Sequence, residues 1–138
     1  MLVLASEDWT VVSNSAKISE IGCDKGQEFS QVLKRFTIND ATNSEIIKSF
    51  GETKFLCHEF ERSKPISTYL YCVVAGPFDV LEPSPGQEHP TIPMKLFCRK
   101  SLTKYTEKIK DDWFRVTKIG INYYEKVFQT PYAFGKFD

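Results

Sequence analysis

"IKDDWFRVTKIGINYYEKVF", residues 109 to 128, is where the chain changes period. Ile109, Trp113, Val116, Gly120, Tyr123 and Val127 recur at spacings of four and three. That period belongs to one face of a helix. Phe114, Ile119, Tyr124 and Phe128 widen the stripe. The pattern predicts an amphipathic helix of about 25 residues, roughly 35–40 Å long at ~1.5 Å per residue. The stripe reads as a core face rather than a cofactor site, because an apolar stripe at helical spacing ordinarily packs. Pro131 ends the helix, since proline cannot continue the hydrogen-bond ladder. After it, "PYAFGKFD" (131 to 138) is aromatic and tight, a poor composition for a frayed tail.

Upstream the period is that of strands. "DWTVVSNS" (8 to 15) predicts a short strand ending in an asparagine turn. "TKFLCHEFER" (53 to 62) predicts another, and "MKLFCRK" (94 to 100) one more. "STYLYCVVAGPFDVLE" (67 to 82) is apolar on both faces, with Tyr69, Tyr71, Val73 and Ala75 on one and Leu70, Cys72 and Val74 on the other. A strand of that kind is expected inside a sheet covered on both sides. Gly76-Pro77 marks a bulge or kink in it, because proline has no N–H for a central ladder. "EPSPGQEHPTIP" carries four prolines in twelve residues and is a loop. Residues 17 to 53 are polar and punctuated by Gly22, Gly26 and Gly51, and are expected to be a long excursion from the core. One short helix is predicted there, with Asp40 capping "ATNSEIIKSF" and Gly51 stopping it. The switch from strands to helix near residue 100 is the expected domain boundary.

Composition narrows the function classes. The chain of 138 residues has an apolar share of 41%, with 11 Phe, 6 Tyr and 2 Trp, which is ample material for a core. Basic and acidic residues balance to a formal net charge of zero. Nucleic acids and anionic membranes need a basic face, so neither is the expected partner. The best basic stretch, "CRKSLTKYTEKIK", is followed or interrupted by Glu107, Asp111 and Asp112, and reads as a solvated helix face. No apolar run approaches the ~20 residues of a membrane span. "MLVLASEDW" is apolar for too short a run, and lacks the basic flank, for a signal peptide. Cys23, Cys57, Cys72 and Cys98 form no C-x-x-C pair. Three of them lie in apolar runs, where a free thiol behaves as a small core residue, so a reducing, cytoplasmic setting is expected.

No catalytic constellation emerges from these residues. "HEFER" opens like an H-E-x-x-H zinc helix, but Arg62 stands where the second imidazole is needed. The stretch also alternates as a strand, which would set positions 58 and 62 about 13 Å apart at roughly 3.3 Å per residue. His58 is therefore expected to be a strand residue near a sheet edge, and His89, in the proline-rich loop, to be solvated. Cys57 and His58 are neighbours on a strand and point to opposite faces, so they cannot readily share a proton. P-loop, G-x-G-x-x-G and G-x-S-x-G motifs are absent. The expected catalytic, cofactor-binding and metal-binding residues are accordingly none.

Several stretches together resemble the zinc aminopeptidases of the aminopeptidase N and leukotriene hydrolase type. "DWTVVSNS" is similar to the strand and turn where that family carries a Trp followed by Ser-Asn. "KPISTYLYCVVAGPFDVLE" resembles its Met-Ser-Thr-Tyr-Leu strand, "IPMKLFCRKS" the last strand of its N-terminal β domain, and "GINYYEKVFQTPYAFGKFD" the first long helix and turn of its catalytic domain. Ser67-Thr68-Tyr69-Leu70 together with Pro131-Tyr132, Lys136 and Asp138 is the most specific part. Residues 17 to 53 are longer than the family's usual connection. Gln129, Thr130 and Ala133 depart from its usual turn.

The resemblance implies a fold that is mainly β with one long α-helix, a partial β-sandwich or saddle. Residues 1 to 100 would be the end of the β domain, with 17 to 53 as an insertion. Residues 101 to 138 would open the metallopeptidase domain. It implies zinc and a peptide substrate for the intact enzyme: zinc would polarise the scissile carbonyl and activate water, with the motif Glu as base. The Gly-x-Met-Glu-Asn strand, the zinc helix and the transition-state Tyr all have no counterpart here. No functional residue of the family therefore maps onto this chain. The chain alone is expected to bind no zinc, to be inactive, and to associate through exposed strand and helix faces. The competing expectation is a non-catalytic β-sandwich that binds another protein, with the long helix docking.

Overall fold

The computed structural model describes residues 1 to 22 and 54 to 138. The helix proposed for residues 41 to 50, and Cys23, lie outside the described residues. The chain divides into two compact units, Met1–Gly76 and Pro77–Asp138.

In the first unit, β1 (Leu2–Ser6), β3 (Lys17–Gly22) and β4 (Phe55–Phe60) form a three-stranded antiparallel sheet in the order β1-β4-β3. The opening apolar run thus becomes an edge strand. Residues 17 to 22, read from sequence as the start of an excursion, are the opposite edge, with an irregularity between Lys17 and Ser19. Their Lys-Ile-Ser-Glu-Ile alternation is too weak to mark a strand unless a partner is already present. Alternation along β4 sends Cys57 to one face and Phe60 to the other. Cys57 packs with Leu2, Leu4 and Ile21. Phe60 packs with Ala5 and Val11, flanked by Met1 and Val3. Each face of this small sheet therefore carries an apolar cluster.

β2 (Thr10–Ser13) pairs with β5 (Val73–Gly76) in a separate antiparallel ladder, Val11 opposite Ala75 and Val12 opposite Val74. Here one expectation is corrected. Residues 67 to 82 are not one covered strand. Thr68–Leu70 is a 3-10 turn, and the strand breaks at Gly76-Pro77 into β5 and β6 (Phe78–Leu81). Val73 and Val74 are exposed, as are Tyr69, Leu70, Tyr71 and Cys72. A two-stranded ladder cannot cover both of its own faces. Cys72 is accordingly not a core residue, although Cys57 is.

The second unit pairs β6 with β7 (Leu96–Arg99), Phe78 opposite Arg99 and Leu81 opposite Leu96. A 3-10 turn at Lys100–Leu102 leads into α1, Thr103–Phe128, of 26 residues. Thr103 Oγ1 at its start donates to Asp79 on β6. Gln129 closes the helix in the left-handed conformation, φ 49°, with Pro131 just beyond, a common helix stop.

The helix is where sequence expected it, but its buried face is not. Phe114 and Ile121 are its buried residues. Ile109, Trp113, Val116, Ile119, Tyr123, Tyr124, Val127 and Phe128 are all exposed. Phe114, expected to widen the stripe, sits on the opposite side of the helix from Gly120 and Tyr123. The inner side is instead anchored by polar contacts: Asp111 accepts from Ser84 N and Oγ at 3.2 and 2.9 Å, and Lys118 donates to the Gly86 carbonyl at 3.3 Å.

The final turn is packed, as its composition indicated. Phe137 N donates to the Pro93 carbonyl at 2.9 Å, and Lys95 N to the Phe137 carbonyl at 3.1 Å. Tyr132 N donates to Glu125 at 2.7 Å, and the Tyr132 ring meets Phe134 and Phe137 with centroids 5.6 and 6.0 Å away.

Candidate functional site

Among its described residues the first unit holds one buried titratable cluster. His58 is on β4, the central strand, opposite Val3 on one side and Glu20 on the other. The sequence placed it near a sheet edge; it is instead 1% exposed at the sheet's centre. Its Nδ1 lies 3.2 Å from Glu20 Oε2 and 3.5 Å from Lys17 Nζ. Its Nε2 is buried without a hydrogen-bond partner among the described residues. Burial pushes the imidazole pKa down, and the Lys17 charge acts the same way; Glu20 opposes both and does not prevail. The Glu20 carboxyl is held below its usual range, first by the hydrogen bond from Lys17. His58 is thus a neutral imidazole beside an ion pair.

Beside the sheet a cleft of about 190 Å³ is lined by Met1, Ser13, Asn14, Phe60, Arg62 and Tyr71, among others. Its wall is stitched by two polar residues. Asn14 Oδ1 accepts from Cys72 N at 2.8 Å, and Asn14 Nδ2 donates to the Leu70 carbonyl at 2.9 Å. Ser13 Oγ donates to the Cys72 carbonyl at 3.0 Å. "SN" of the first stretch therefore reads the backbone of "YLYC" in the other. One side-chain amide supplies both the donor and the acceptor that an irregular backbone needs.

In the second unit His89 overturns its expectation. It is buried, not solvated. Nδ1 accepts from Thr91 N at 3.3 Å and Ile92 N at 3.1 Å, so Nε2 carries the proton and faces Asn122 Oδ1 at 3.1 Å. The imidazole organises a loop whose prolines cannot supply donors of their own. Nothing local in "QEHPT" signals this, because Asn122 is 33 residues away.

Both imidazoles sit in contacts that position backbone and side chains of the described residues. Cys57 and His58 are neighbours on β4 and point to opposite faces. Among the described residues no group of three His, Cys, Asp or Glu is placed to hold a metal ion. No described helix is long and apolar enough to cross a membrane.

Over 80 residues the chain is 29% identical to aminopeptidase N of Streptomyces lividans. The match takes in 58% of this chain and 9% of that protein's length. No family model matches the chain. The likeness is thus to an aminopeptidase, over a short part of it.

Proposed function

We propose that this chain is a scaffold piece of a zinc metallo-aminopeptidase, an enzyme that removes N-terminal residues from peptides. The first unit and β6–β7 would belong to its β domain, and α1 would open its catalytic domain. The similarity to aminopeptidase N over 80 residues carries the reading. The Asn14 contacts are compatible with it, since they join two of the stretches that resemble the family. The described residues offer no fitting set of zinc ligands. Zinc and the peptide's amine would be held by other segments of the intact enzyme, and no catalytic step is assigned to residues of this chain.

The test is to sequence the transcript through and beyond the codon for Asp138. An open frame that soon encodes Gly-x-Met-Glu-Asn and then H-E-x-x-H is the expected result. A stop codon there, with neither motif downstream, overturns it. The second reading, a non-catalytic β module that docks another protein through α1, is favoured by the exposed apolar side of that helix. It would gain from that second outcome.

A further inference from the structure

A strap of loop, Ser84 to Ile92, runs along one side of α1 and is tied to it at three points. Asp111, Lys118 and Asn122 are seven and four residues apart, so they share that side and span about 16 Å at ~1.5 Å per residue. They hold Ser84, Gly86 and His89 in the same order. The strap is stiff where it starts. Pro85 and Gly86, the latter at φ 86°, form a turn in which Gln87 N donates to the Ser84 carbonyl at 2.8 Å. Its other end depends on a neutral imidazole. His89 Nδ1 accepts from Ile92 N at 3.1 Å and Thr91 N at 3.3 Å, and Ile92 is 5% exposed. A protonated imidazole donates at both nitrogens and accepts at neither. In the closed strap it would set one N–H against two others in a buried site. Both ring nitrogens are satisfied within residues 89 to 122, so the tie is complete without any other segment.

We propose that the strap is an acid-released latch: protonation of His89 makes Ile92 N and Thr91 N let go of Nδ1, and frees the strap from α1 while Phe114 and Ile121 keep the helix seated. The surrounding charges do not counter this. Asn122 itself is uncharged. One turn from it on α1 stand Lys118, held by the Gly86 carbonyl, Lys126, and Glu125, which accepts from Tyr132 N. Further along the same side, Asp111 is taken by Ser84 and Arg115 pairs with Asp112. Within the strap Glu88 accepts from Gly86 N at 2.6 Å. On the flanking segments Lys95 pairs with Glu82 and Lys136 with Asp138. No ion pair among the described residues includes His89, so the closed strap offers an imidazolium no compensating carboxylate. The latch rests on contacts inside the second unit and not on the peptidase reading.

Amide hydrogen exchange of the full chain tests it, read by NMR from about pH 8 to about pH 5 and corrected for the intrinsic rate at each pH. A solvent-exposed imidazole takes up its proton below about 6.5. Opening at Ile92 and Thr91 is therefore constant above that value and rises about tenfold for each pH unit below it. The Phe114 amide on α1 opens at least roughly tenfold less often throughout, because the latch releases locally. His89→Gln does not titrate in this range and removes the rise. Asn122→Ala opens the strap more often at every pH and keeps the rise. Should either variant fail to fold, the profile of the unaltered chain decides alone. Protection at Ile92 and Thr91 that stays flat into acid, or a rise that survives in His89→Gln, overturns the inference. So does opening that matches Phe114, since the strap then moves only when the whole unit unfolds.

Discussion

Asn14 Oδ1 accepts the amide hydrogen of Cys72 at 2.8 Å, across 58 residues of chain. The same side chain donates to Leu70, so one residue fixes the entry to β5. Asn14→Ala removes both bonds and hands two exposed backbone groups to water. The expected loss is about 0.5–1.5 kcal/mol in denaturant unfolding, the net worth of ordinary hydrogen bonds. Asn14→Asp keeps the acceptor and loses only the donor, so it should cost less. Equal losses would show that the contact with Cys72 carries no stability.

Adjacent residues on α1 give opposite expectations. Phe114 is 4% exposed and Trp113 is 54% exposed. Phe114→Ala should destabilise the chain by ~3–5 kcal/mol, the usual range for emptying a packed aromatic site. Trp113→Ala should change monomer stability by less than about 0.5 kcal/mol, as surface substitutions do. Thermal unfolding at concentrations too low for association makes the comparison. The reverse order would restore the stripe expected from sequence as the core face.

His89 and Asn122 should behave as one unit. Asn122→Ala deprives the imidazole Nε2–H of its acceptor, at an expected cost of ~1–2 kcal/mol. His89→Ala loses that bond and the two amide bonds at Nδ1, and should cost more. Added to His89→Ala, the Asn122 substitution should cost little further, a coupling a double-mutant cycle reads directly. Additive losses would separate the two residues.

Stability should fall on the acid side in two steps. The folded pKa of His58 lies below its unfolded value of about 6.5, so the fold favours the neutral ring. That contribution is whole above the unfolded value and is lost as pH falls through the folded one. Glu20, also lowered, has the same sign at lower pH: its contribution is present above the unfolded carboxylate value and is lost as the acid protonates. His58→Phe should remove the first step and keep the second. Urea midpoints from neutral to acid pH measure both. A wild-type midpoint that is flat below neutrality until the carboxylates titrate would contradict the role given to His58.

The isolated chain should neither bind zinc stoichiometrically nor hydrolyse aminoacyl anilides. Metal analysis after dialysis and a chromogenic anilide assay check this. Turnover that survives removal of contaminating peptidases would place chemistry in residues that show none.

Much of the fold is legible in the residues themselves. Periodicity alone places α1, because a run of 3.6-residue spacing has no other regular solution. Alternation places β2, β4 and β7, and Gly76-Pro77 breaks the chain where proline denies a ladder its donor. Composition marks "PYAFGKFD" as packed. Lys17–Gly22 is not legible, since its strand depends on pairing with β4 rather than on its own propensity.

Tertiary structure alone decides which apolar surfaces are covered. Hydrophobic spacing says that a face seeks a partner; it does not say whether the partner lies in the same chain. So the stripe of α1 points outward while Phe114 and Ile121 point in, and Val73 and Val74 stay exposed on a ladder of two strands. The same holds for polar groups. His58 at a sheet's centre, His89 against Asn122, and Asn14 against Cys72 are set by residues distant in sequence. No local pattern records a hydrogen bond formed only when distant segments meet.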